Sequence, residues 1–195
     1  MMSGFTHHRK TGRVLANFTG FEADLLRSLA SQLVELLRDE QPDAPADPDP
    51  LAALFNFSGP IEEPADPVLL RLFPTAYADD PEAAGEFRRY TEPTLRESKE
   101  RSARAMVETL EEGGLPPELE EDDLMIDVEL EPDEAALWLR ALNDLRLALA
   151  TRLEIEEGDD DFWESLDEED PRTHAHDIYE WLGYLQETLV AAITA

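Results

Sequence analysis

Residues 132–153 read PDEAALWLRALNDLRLALATRL, and this stretch decides the fold. Trp138, Leu142, Leu145 and Leu149 fall on one helical stripe, and Leu137, Leu139 and Leu147 widen it into a broad apolar arc. A helix apolar over so much of its circumference belongs in the middle of a fold rather than on its surface. Asn143 and Asp144 form its one polar break, with Arg140 four residues before Asp144 and Arg146 two after. Arg140, Asn143, Asp144 and Arg146 therefore predict a polar network linking helices, with a ligand site as the alternative.

The flanking segments supply packing partners for that helix. In LMIDVEL, residues 124–130, apolar Leu124, Ile126, Val128 and Leu130 alternate with Met125, Asp127 and Glu129, the period of a half-buried strand. Arg13 to Phe18 (RVLANF) reads as a second strand, expected to pair with it antiparallel. Thr19 and Glu22 have the spacing of a reciprocal capping box, so a helix over 21–38 starts there and buries Leu26, Leu29, Leu33 and Leu36 or Leu37. Three Asp-Pro pairs, at 49–50, 66–67 and 80–81, each place a capping carboxylate before a proline suited to the first helical position. Residues 81–90 and 93–112 predict two helices broken near Thr91-Glu92-Pro93, the second stopped by Gly113-Gly114. A last helix, about 172–193, is expected to bury Ile178, Trp181, Leu182, Leu185 and Leu189. The expected fold is mainly α with a small antiparallel β-sheet, a single α+β domain over 1–195. Its core comes from the helices at 21–38, 133–153 and 174–193.

Charge sets the boundaries on function. The chain holds 46 acidic and 16 basic side chains, a formal net charge of −30. The acids gather in residues 39–50, 111–134 and 154–170, and the first and last of these read as acidic loops. The first has five acids and four prolines in twelve positions, and the last has eleven acids in seventeen. Such a chain repels nucleic acid, because binding DNA needs a stripe of uncompensated cations to release counterions from phosphates. Arg88, Arg89, Arg96, Lys99, Arg101 and Arg104 are matched by six glutamates within residues 86–111, several at i,i+4 spacing, which describes a self-paired helix face. The only cationic stretch without acids, His7 to Arg13, reads as a frayed terminus or an arm. A compositional cause for the acidity also stands: two lysines against fourteen arginines suit a GC-rich genome or salt adaptation.

Motifs for chemistry are few. The chain has no cysteine, hence no disulfide, thiolate zinc site or thiol switch. His174-Ala175-His176-Asp177 fails as a metallo-hydrolase run, since on a helix the two imidazoles point about 200° apart. Counting from Asp159 puts Trp163 at the fifth position of a would-be EF-hand loop, where an oxygen ligand is needed. GxSxG, GxGxxG, HExxH and phosphate-cradling loops are absent. No metal, no cofactor and no enzyme activity are expected. No secretory signal or membrane span is expected either, which suggests a cytoplasmic protein. Phe162 and Trp163 stand out as aromatics inside acid, anchors for docking either onto this fold or onto a basic partner.

Four stretches are similar to an actinobacterial family long labelled a domain of unknown function, the family that includes the mycobacterial oxidative-stress regulator AosR. They are GFEADLLRSL from Gly20, RLFPTAYADDPEAAGEFRRYTEPTLR from Arg71, WLRALNDLRLALATRL from Trp138 and YEWLGYLQETLV from Tyr179. The resemblance carries no catalytic residues. It implies a cytoplasmic regulator of transcription acting through contact with a sigma factor or RNA polymerase, without thiol sensing here. It implies as an alternative a partner of the adaptor that feeds N-degron substrates to the Clp protease. The partner surface expected is cationic, met by Phe162, Trp163, Arg88, Arg89 and Arg96, and the oligomeric state stays open between monomer and homodimer. The competing class is a small-ligand-binding protein or enzyme with a pocket around Asn143, Asp144, Arg146 and Tyr77.

Overall fold

The computed structural model describes residues 4–39, 62–119, 124–167 and 169–195. In chain order the elements are β1 (Thr6–His8), β2 (Arg13–Thr19), α1 (Gly20–Asp39), α2 (Pro67–Leu72), α3 (Pro81–Glu112), β3 (Met125–Leu130), α4 (Pro132–Leu153), α5 (Asp160–Glu164) and α6 (Pro171–Ile193). The decisive stretch forms α4, and its wide apolar arc is covered by α6, α3 and α2, with α1 and the sheet also touching it. Trp138 is fully buried, stacked on Phe18 of β2 at 6.1 Å and met edge-on by Phe5 at 5.7 Å. Its indole N–H donates to Thr109 Oγ1 of α3 at 3.3 Å. Each such aromatic pair adds about 0.5–1.5 kcal/mol beyond the area it buries.

The sheet has the order β1-β2-β3 and is antiparallel throughout. Val14 lies opposite Leu130, Ala16 opposite Val128 and Phe18 opposite Ile126, so the two period-two patterns coincide on one buried face. A slip of one residue would turn the three inward side chains of the shifted strand to solvent. On the outer face Arg13 pairs with Glu129 at 2.9 Å and with Glu131. Strand β1 corrects the expectation of a frayed cationic arm. The Phe5 N–H donates to Thr188 Oγ1 at 3.2 Å, and His7 Nδ1 lies 3.1 Å from the Ala192 carbonyl oxygen, which fastens this segment to α6.

The helix starts follow the expected chemistry. Glu22 accepts from the Thr19 N–H at 2.8 Å while Thr19 Oγ1 accepts from the Glu22 N–H at 3.2 Å. Asp66 caps α2 through the Val68 N–H at 2.7 Å, and Asp80 caps α3 through the Ala83 N–H at 3.0 Å. Asp170, before Pro171, does the same for α6 through the Arg172 N–H at 2.9 Å, so that helix begins one residue earlier than its apolar period suggests. The Asp49-Pro50 pair and residues 40–50 of the first acidic loop lie outside the described residues. Ile178 and Trp181 are half-buried rather than buried, while Leu182, Leu185 and Leu189 are enclosed.

The expected break at Thr91-Glu92-Pro93 does not occur: α3 is one helix of 32 residues with Pro93 inside it. The reason is the carboxylate beside the proline. Glu92, 2% exposed, accepts from Arg88 at 3.0 Å and from Arg96 at 2.5 Å, one turn to either side. Arg88 also donates to the Phe73 carbonyl at 3.2 Å and Arg96 to the Leu37 carbonyl at 2.6 Å. A break would pull two buried guanidiniums off their carboxylate, at about 3–5 kcal/mol. That exceeds the roughly 3 kcal/mol of a mid-helix proline. At its far end α3 stops at Gly113, where a Cβ would come within 2.5 Å of the Asp127 carbonyl of β3.

Glu92→Ala is expected to lower stability by about 3–5 kcal/mol in urea unfolding, and Pro93→Ala to raise the midpoint. A Glu92→Ala protein as stable as the parent would show that the continuity of α3 rests on something else.

Candidate functional site

The residues expected to act together fall into three separate places. Arg88 and Arg96 belong to the buried triad with Glu92 and offer no guanidinium to a partner; Arg89, between them on the helix, is exposed. Burial inside the α2–α3 junction, under Phe73, is what the i,i+4 spacing alone does not reveal. Arg96 stacks over the Phe73 ring at 4.7 Å.

The second place is an aromatic corner built by the segment 154–170. Glu154 leaves α4 in the left-handed conformation, and Asp159 then organises a turn. Its carboxylate accepts from the Glu156 N–H at 3.0 Å and from the Trp163 indole N–H at 2.8 Å. The Glu156 hydrogen bond, helped by that of Trp163, holds the Asp159 carboxyl below its ordinary range against a smaller effect of burial. Trp163 is buried and stacks on His176 of α6 at 4.6 Å with the planes 8° apart. Beyond His176 comes Tyr179 at 6.0 Å, then the Arg146 guanidinium 4.8 Å over the Tyr179 ring. Arg146 donates to Tyr179 Oη at 3.2 Å and to Gln186 Oε1 at 2.9 Å. Gly183 makes room for it, since a Cβ there would lie 3.3 Å from the guanidinium. This acidic segment is therefore more than a solvated loop: Trp163 anchors it to its own fold. Phe162 remains 46% exposed, edge-on to Trp163 at 5.1 Å, with Arg172 5.6 Å over its ring.

The third place is a cleft of about 420 Å³ between α3, α4 and α6. Leu95, Leu139 and Val190 give it apolar walls, and Asn143, Asp144 and Gln186 reach it from α4 and α6. Asp144, 3% exposed, accepts from Lys99 Nζ at 2.8 Å. Burial pushes the Asp144 carboxyl up, against the opposing pull of Lys99 and Asn143. Arg140 sits exposed on the rim. The four residues Arg140, Asn143, Asp144 and Arg146 thus do not form one network: Arg146 belongs to the aromatic corner, and Arg140 is solvent-facing. Tyr77 is also elsewhere, packed edge-on against Phe87 at 5.8 Å. The residue that sequence reasoning missed is Lys99. Its signal was present, because it is the only cation in residues 86–111 with no acid three or four positions away on its own helix.

Among the described residues no group of three or more histidine, aspartate or glutamate side chains is placed to hold a metal ion, and His174 is exposed. No helix among them is long and apolar enough to cross a membrane. These features define a helical α+β domain with a strongly acidic composition, an aromatic corner and a polar-floored cleft. The chain belongs to the family described as a domain of unknown function, DUF2017, whose pattern matches residues 2–193. It is 31% identical over 195 residues to the oxidative stress regulator AosR of Mycobacterium tuberculosis (strain ATCC 25618 / H37Rv), covering 93% of this chain and 82% of that one. The same figures hold for the oxidative stress regulator AosR of Mycobacterium bovis. No solved structure matches.

The depressed Asp159 carboxyl makes the aromatic corner sensitive to acid. Its contribution is complete above the ordinary aspartate value of about 3.9 and is lost as pH falls through the lower folded value. Tryptophan fluorescence is expected to report release of Trp163 in that range, a change absent from Trp163→Phe and insensitive to pH in Asp159→Asn. Persistence of the change in Trp163→Phe would assign it to another tryptophan and remove the argument.

Proposed function

We propose that this chain is a regulator of transcription that acts by protein contact, with a sigma factor or RNA polymerase subunit as its partner, rather than by catalysis or by reading bases. The observation that carries the reading is the similarity, over 93% of the chain, to relatives named oxidative stress regulators. Charge supports it. With a formal net charge of −30 the chain attracts a cationic surface and repels DNA. At physiological salt the Debye length is about 8 Å, so the field speeds encounter while packed side chains set specificity.

Phe162 is the side chain best placed for that packing. It projects from an acidic segment over a floor, Trp163 on His176, that is already ordered. Little conformational freedom is then lost on binding, which favours affinity. Arg89 remains a contact candidate, while Arg88 and Arg96 act only by shaping α3. With no cysteine in the chain, an oxidative signal reaches it through something other than its own thiols. The place of action is the cytoplasm, where transcription is regulated.

The test is affinity capture of the full chain from native lysate at low and high salt. A sigma factor or polymerase subunit is expected at low salt, depleted at high salt, and depleted at both by Phe162→Ala. Recovery of neither from a lysate that contains both would overturn the proposal.

A further inference from the structure

The cleft between α3, α4 and α6 presents more cationic donor capacity than its own side chains engage. Two of its acceptors are used from within. Asp144 Oδ1 takes the Lys99 ammonium and Gln186 Oε1 takes Arg146. Its donors are only partly used: among the described residues Lys99 makes one hydrogen bond with its three N–H groups, the Gln186 amide nitrogen makes none, and Arg140 has no carboxylate partner. The lining thus carries two cations against one anion, and that anion is 3% exposed.

The rest of the surface is apolar. Leu95 and Val190 are exposed on opposite helices, and Leu139 lies partly buried between them. A cleft of about 420 Å³ falls in the range of about 300–1,000 Å³ common to small-molecule sites, which combine apolar walls with a few converging polar groups. Neither cation is replaceable by the other. Lys99 sits on the floor, held by Asp144 and 5.9 Å from the Phe73 ring, while Arg140 stands at the rim, where its fork suits a carboxylate.

We infer that this cleft binds a small amphipathic carboxylate, its head between Lys99 and Arg140 and its apolar body along Leu95, Leu139 and Val190. An amine is disfavoured because the only carboxylate is buried and already bonded. A neutral chain of equal length leaves the donors unspent. The inference stands apart from the proposed protein partner and gives a regulator of this family a chemical signal it could receive.

The experiment is calorimetric titration of the full chain with octanoate and with phenylacetate, using octanol and octylamine as matched controls. One carboxylate is expected to bind saturably, one per chain, with the controls weaker by about tenfold or more, the scale of one charge-assisted hydrogen bond. Arg140→Gln is expected to weaken it by a similar factor. Val190→Asp, at an exposed wall position, is expected to abolish it, and both variants to keep the parent's unfolding midpoint. No saturable binding of either carboxylate overturns the inference. So does equal binding of octanol or octylamine, or unchanged affinity in both variants.

Discussion

Trp138 has no surface left in solvent, and that enclosure sets the terms for the other elements. One face of the indole needs the Phe18 ring, which requires β2 to run under α4; its N–H needs Thr109, which requires α3 alongside. A buried indole N–H without a partner would cost on the order of 1–3 kcal/mol, so the position of α3 is fixed by a hydrogen bond as well as by packing. Strand β3 then has one place to pair, against β2, and α6 closes the remaining side with Leu182, Leu185 and Leu189. The sheet is small because its task is to roof one side of a helix.

The chain's few cations are spent mostly on its own structure. Arg88 and Arg96 hold Glu92, Lys99 holds Asp144, Arg146 bridges α4 to α6, and Arg152 reaches Asp66 at the start of α2. Each joins segments distant in sequence: Lys99 and Arg152 by salt bridges, Arg146 by neutral acceptors on α6, and Arg88 and Arg96 through the Phe73 and Leu37 carbonyls. A buried pair adds little net stability over an apolar one, but removing one partner is expensive, so the pairs at Glu92 and Asp144 act as constraints on arrangement.

Much of this was legible in the sequence, for a physical reason. The leucine stripe of α4, the alternation of LMIDVEL and the Asp-Pro caps are local patterns, each decided within a turn or two of chain. What escaped depends on distant partners. The continuity of α3 through Pro93 needs Leu37 and Phe73 to supply carbonyls to the two arginines. The anchoring of Trp163 needs His176, beyond the turn that starts α6. Strand β1 is three residues long, too short for a period to register, and its hold on α6 spans almost the whole chain. In the cleft, Lys99 and Asp144 are 45 positions apart, and although each stood out on its own helix no local pattern joins them.

As a mechanical part, α3 is a strut. Thirty-two residues at about 1.5 Å each give a rod of roughly 48 Å, clasped near its start by the Phe73–Thr75 loop and abutting the sheet at Gly113. Glu92 clamps the one point at which such a rod would bend. The first turns and the end that abuts the strand bearing Asp127 therefore belong to one unbroken rod with no hinge between them. Lys99 lies on the same rod, so the floor of the cleft is carried by the element whose far end abuts the edge of the sheet.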